Sequence, residues 1–170
     1  MVLRIIILLI KTPKHLDNID RNILITLQRD ARIANVDLAK HVGLSPSPCL
    51  ERVKRLEQQG YILSYNAQLD PVKLGAAMLV FVEISLEKTS PDIFADFSDA
   101  VQQQDDIQEC HLVSGNFDFL LKTRVADMAS YRNLLGDTLL RLPGVRESRS
   151  YVVMEEVKHT QNLKIAQAKP

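Results

Sequence analysis

The chain has 170 residues with 21 Lys/Arg and 21 Asp/Glu, enough for two small domains or one medium one, and no formal net charge. Zero net charge argues against a general nucleic-acid binder, and two cysteines are too few for a disulfide scaffold. No apolar run is long enough to cross a bilayer.

Val2 to Ile10 are apolar except Arg4, and Lys11 and Lys14 follow without a small-residue cleavage pattern. The run reads as an extra strand packed on the protein; a start codon further inside is the other reading. Apolar residues then recur at helical spacing over about residues 18 to 29, where Ile19, Ile23, Leu24 and Leu27 share a face. A second helix is expected to take Asn35 as its cap and to bury Val36, Ala39 and Val42. Gly43 stops it, because a left-handed residue costs little without a Cβ. Ser45 is expected to cap a third helix with Pro46 at its first position, Leu50, Val53 and Leu56 as its buried stripe, and Gly60 at its end.

Three helices around one small core, the last two joined by a short glycine turn, are the layout of a helix-turn-helix. Its last helix enters the major groove of double-stranded DNA in such proteins. Ser45, Ser47 and Pro48 are then expected to meet base edges, and Arg52, Lys54 and Arg55 to meet phosphates or guanine. The charge distribution agrees: Lys11–Tyr65 carries plus three and Asn66–Pro170 minus four, a basic front and an acidic back.

Tyr61–Asn66 reads as a short strand, which makes the first domain winged-helix-like, and Pro71–Gly75 as part of a connection. Met78 to Leu86 alternate, with Met78, Val80, Val82, Ile84 and Leu86 on one face and Leu79, Phe81, Glu83 and Ser85 on the other. Ser90-Pro91 start a helix that buries Ile93, Phe94, Phe97 and Val101. Strands are expected over about 106–114 and 117–125, joined near Gly115-Asn116. Asp127 caps a helix with apolar positions 128, 131, 134, 135, 139 and 142; Pro143-Gly144 end it, and a last strand runs over about 146–157.

The fold class is therefore α+β: a helix-turn-helix domain followed by a ferredoxin-like βαββαβ domain, an antiparallel sheet with two helices on one face. The divisions are an extension 1–14, the helix-turn-helix domain 15–65, a linker 66–76, the second domain 77–158 and a tail 159–170. Leu79, Phe81, Tyr151 and Val153 lie on the face the helices leave open, and the sheet of a second subunit is the simplest cover.

No glycine-rich phosphate loop, nucleophile elbow or metal-ligand cluster occurs, so neither an enzyme nor a cofactor is expected. Cys110 and His111 are neighbours and in a strand point to opposite faces, so they cannot share a metal. Cys49 and Cys110 show no disulfide spacing, which fits a reducing cytoplasm. Asp118 is the one acidic residue in an apolar run after the Gly115-Asn116 turn. It reads either as a ligand for the charged ends of a small molecule or as a turn-capping carboxylate. Glu155 and Glu156 read as a solvated strand end.

Both halves together resemble the Lrp/AsnC family of bacterial and archaeal transcription regulators. The matching stretches include Ile19-Asp-Arg-Asn-Ile-Leu, Val42-Gly-Leu-Ser-Pro-Ser-Pro-Cys-Leu-Glu-Arg-Val, Ile107-Gln-Glu-Cys-His-Leu-Val-Ser-Gly and Tyr151-Val-Val-Met-Glu-Glu-Val-Lys, and they cover about residues 15 to 158 in order. The resemblance implies nucleoid-associated DNA binding, a dimer with two facing sheets, higher assembly such as octamers, and an amino-acid effector between dimers, leucine first. It assigns effector response to Leu112, Gly115, Asp118, Met128, Tyr151, Val152 and Val153. Asn116 stands where an acidic residue is usual, and Val2–Ile10 replaces a polar, basic tail. The alternatives are an architectural DNA-bending protein with little ligand control and an amino-acid enzyme or its regulatory subunit; leucine titrated into the DNA complex separates the first from the leading reading.

Overall fold

The computed structural model describes residues 16–87 and 90–166, so the apolar run Val2–Ile10 lies outside the described residues. The chain divides into two compact units. One takes the described residues up to Ala67 together with those from Thr160 onward; the other is Gln68–His159.

The first unit holds helices α1 (Asn18–Arg29), α2 (Asn35–Val42) and α3 (Pro46–Gln58). Asp17 caps α1 by accepting the Asp20 N–H at 2.8 Å. Gly43, at φ 73°, ends α2 in the left-handed region, and the Leu44 N–H turns back to the Ala39 carbonyl at 2.9 Å. Ile23, Leu24, Leu38, Ala39, Val42, Cys49, Val53 and Leu56 form the core.

Four expectations are corrected in this unit. The cap of α2 is Ala34; Asn35 is already helical and its side-chain amide donates to the Pro46 carbonyl at 2.8 Å. Ser45 holds the cap position of α3, yet its hydroxyl makes no capping bond. Val36 and Leu50 are exposed, and the buried stripe of α3 is Cys49, Val53 and Leu56. Tyr61–Asn66 joins no ladder among the described residues; Tyr61 and Ile62 pack against the helical core, and the Tyr65 hydroxyl donates to Glu57 Oε1 at 2.8 Å. Burial and this bond push the Tyr65 pKa up to about 12.

Residues 160–166, read from the sequence as a tail, also pack on this unit. Ile165 lies against the helical core. The Gln28 side-chain amide donates to the Leu163 carbonyl at 3.2 Å while its oxygen accepts the Leu163 N–H at 2.7 Å. Arg21 donates to the Ala166 carbonyl.

The second unit is built from β1 (Met78–Leu86), α4 (Pro91–Gln102), β2 (Ile107–Leu112), β3 (Phe119–Val125), α5 (Met128–Asp137), a 3-10 turn (Leu139–Arg141) and β4 (Val145–Val152). The sheet order is β2-β3-β1-β4 and every neighbouring pair is antiparallel, the ferredoxin-like arrangement. Val80, Val82, Ile84, Phe119 and Leu121 on one face are buried with Phe97, Val101, Tyr131 and Leu134 from α4 and α5. The Phe97 and Phe119 rings stack with centroids 4.4 Å apart.

The other face carries Leu79, Phe81, Glu83, Leu120, Lys122, Arg124 and Tyr151. Leu79, expected to need cover from a second subunit, is already only 5% exposed, whereas Tyr151 is 44% exposed. The last strand ends at Val152, earlier than expected, because its partner β1 begins at Met78; Val153 makes the last bond, donating to the Leu79 carbonyl at 2.9 Å. Glu155 and Glu156 therefore lie beyond the strand, and Glu156 accepts from Arg124 at 2.5 Å.

Candidate functional site

Helix α3 is held by its buried stripe, and what projects from the opposite side follows from helical geometry at about 100° per residue. With Cys49, Val53 and Leu56 inward, Ser47, Glu51, Lys54 and Gln58 point most directly outward, and all four are exposed. Ser45 and Pro48 are exposed at the start of the helix. Of the expected DNA contacts, Ser45, Ser47, Pro48 and Lys54 therefore share an open surface. Glu51, not among the contacts expected from the sequence, sits in the middle of it, as its place on the helical wheel implies.

Arg52 and Arg55 occupy the flank and face α1 instead of standing free. Arg52 Nη1 lies 2.6 Å from Asp17 Oδ2 and 2.8 Å from Asp20 Oδ1, and Arg55 Nη2 lies 2.6 and 2.7 Å from the two oxygens of Asp20. Asp20 is only 3% exposed. Burial pushes the Asp17 carboxyl up, but the Asp20 N–H and the Arg52 guanidinium more than offset this and hold it below its ordinary value.

The seven positions assigned to effector response fall into two groups in the second unit. Leu112, Gly115 and Asp118 lie at the β2–β3 turn, beside the Ile84–Leu86 end of β1. Met128, Tyr151, Val152 and Val153 lie at the other end, beside Leu79–Phe81 and Val125. Strand β3 runs the full way between the groups, and seven strand residues span roughly 20 Å. The structure thus brings three of these residues together and four others together, without joining the two sets within one chain.

Leu112, Met128, Tyr151 and Val152 are exposed. The Tyr151 hydroxyl donates to Glu83 Oε1 at 3.0 Å. Ser85, Gly115, Asn116, Asp118 and Arg146 line an open cleft of about 300 Å³ at the turn end. Asp118 is engaged with the backbone there. Its N–H donates to the Ile84 carbonyl at 2.9 Å, and its Oδ2 accepts the Leu86 N–H at 2.8 Å. The carboxylate extends the β1–β3 ladder past the end of β3.

Among the described residues, no group of three or more His, Cys, Asp and Glu is placed to hold a metal ion, and no helix is long and apolar enough to cross a membrane.

Comparison with known proteins fits both units. The Lrp/AsnC ligand binding domain matches residues 79–163, and a winged helix-turn-helix DNA-binding domain matches residues 16–62. The leucine-responsive regulatory proteins of Klebsiella pneumoniae and Escherichia coli K12 are each 64% identical over 152 residues, covering 89% of this chain and 93% of theirs. A transcriptional regulator from Neisseria meningitidis solved in complex with L-Met has a TM-score of 0.84 and 36% identity, covering 88% of this chain and 97% of that one. An AsnC family regulator from Agrobacterium tumefaciens has a TM-score of 0.83 at 36% identity, with the same coverage of 88% and 97%. With a helix-turn-helix domain first in the sequence and this ligand-binding domain after it, the chain belongs to the Lrp/AsnC family, as a DNA-binding transcription regulator with an amino-acid-binding domain and not an enzyme.

Proposed function

We propose that leucine is the effector and that it acts by changing how copies of the chain assemble on DNA, in the cytoplasm at the nucleoid. One observation carries the assembly part: the effector positions form two groups roughly 20 Å apart along β3, farther than one amino acid reaches. If both groups touch one ligand, they come from different copies, and binding is coupled to association by mass action. The exposed Tyr151 and half-buried Phe81 on the helix-free sheet face favour a dimer through that face, with further assembly through the sheet ends. The names of the 64% identical relatives favour leucine. The free cysteines Cys49 and Cys110 suit a reducing compartment.

On the DNA side, Ser45, Ser47 and Pro48 meet base edges and Lys54 meets phosphate, since they share the open side of α3. Sedimentation of the full chain with and without leucine, on and off DNA, tests the reading. A leucine-dependent change in assembly and in DNA affinity is expected. Unchanged assembly together with unchanged affinity would leave an architectural DNA binder.

A further inference from the structure

The Asp17–Asp20–Arg52–Arg55 cluster joins the first turn of α1 to the flank of α3, and neither the family match nor the relatives' names assign it a role. Asp20 is almost fully buried, and its two oxygens accept from both arginines over 2.6–2.8 Å. Arg52 bridges to Asp17, which also caps α1. Four charged groups are thus matched two against two beside the helix that reads DNA.

We propose that Asp20 is a positioning residue for DNA recognition: through Arg52 and Arg55 it fixes how α3 is rotated about its own axis and keeps both guanidiniums off the DNA backbone. Cys49, Val53 and Leu56 hold one face of α3 on the core. Two arginines anchored on one buried carboxylate tie its flank to α1 as well, so the rotation of the helix is held on two sides. They hold Ser47, Glu51 and Lys54 outward as a set. They also confine positive charge that would otherwise bind any phosphate regardless of sequence. Affinity for non-specific DNA is thereby kept low while base readout is kept in register.

This inference rests on α3 being the groove-facing helix, and the experiment separates the two. The parent protein is used to select a preferred duplex from a random-sequence pool; if no sequence emerges, the groove-facing reading fails. If one emerges, affinities of the parent, Asp20→Asn, Arg52→Ala and Arg55→Ala for that duplex and for a random duplex are measured across salt concentrations. Asp20→Asn is expected to lose about tenfold in preference for the selected duplex. Its salt dependence should also steepen, by up to about one unit of log–log slope for each arginine released to a phosphate. Arg52→Ala and Arg55→Ala are expected to lose preference while the parent's slope is kept. A slope flattened by about one unit in each arginine variant would make them phosphate contacts and overturn the proposal. Unchanged preference in all three would overturn it as well. Should Asp20→Asn fail to fold, the two arginine variants still decide, because each leaves one guanidinium on Asp20.

Discussion

The Asp118 carboxylate accepts the backbone N–H of Leu86 at 2.8 Å, standing in for the carbonyl that β3 no longer supplies. A carboxylate has acceptor capacity to spare, so this bond leaves room for a ligand ammonium group.

The Asn and Ala variants separate those two uses. Asp118→Asn keeps an oxygen for Leu86 and should leave urea stability nearly unchanged, while leucine binding falls about tenfold or more through loss of the charge-assisted bond. Asp118→Ala should lose the same affinity and also destabilise the second unit by about 1–3 kcal/mol, the cost of an unsatisfied buried N–H. Calorimetry with leucine on both variants checks it. An Asn variant that binds leucine like the parent would leave Asp118 a ladder cap only.

Glu51 puts a negative charge amid the exposed side of α3. Glu51→Ala should leave stability within about 0.5 kcal/mol and raise affinity for random duplex. It should also relax the preference for cytosine at one position if the carboxylate accepts from an N4 amino group. Selection from random pools with parent and variant reads this out; identical selected sequences would place Glu51 outside the readout.

Gly144 has φ 72° and a Cβ added there would lie 2.8 Å from Ile93 Cγ2. Gly144→Ala therefore combines a left-handed backbone penalty with a steric clash, for a loss of about 2 kcal/mol or more. Urea denaturation monitored by circular dichroism measures it.

Acid should weaken the first unit through Asp17. Its folded pKa lies below the ordinary value of 3.8, so the unfolded chain takes up the proton first. The contribution is present above about pH 4 and lost as pH falls through the lower, folded value. Glu109, bonded to Lys122, and Glu156, bonded to Arg124, shift in the same sense in the second unit. The urea midpoint should fall between pH 6 and pH 3, and less steeply in Asp17→Asn.

The thiols should be quiet. Cys49 is fully buried, and burial pushes the Cys110 thiol up to about 11, so little thiolate exists at neutral pH. Alkylation by iodoacetamide at pH 7.5, followed by mass spectrometry, should be far slower in the native chain than in urea.

The strand alternation at Met78–Leu86 was legible because its period of two is unmistakable over nine residues. The stripe of α3 was harder. Leu50, Val53 and Leu56 are apolar at a spacing of three, but 3.6 residues per turn favours Cys49, Val53 and Leu56, and a small cysteine draws less notice than a leucine. The basic flank was visible while its partners were not, since Asp17 and Asp20 lie more than thirty residues upstream of Arg52. Local preference also misplaced the cap of α2, where Asn35 is a better capping residue than Ala34 but bonds to Pro46. The Asp118–Leu86 bond, across 32 residues, was open only as one of two readings.

The return of residues 160–166 to the helix-turn-helix unit means that this unit is not contiguous in the gene. On the ribosome, α1, α2 and α3 emerge first, yet Ile165, which packs on their core, emerges only after Gln68–His159. Gln68–His159 is thus an insertion between two parts of the DNA-reading unit. Any change that pulls residues 160–166 away would disturb α1, whose Gln28 is bonded to Leu163 across 135 residues.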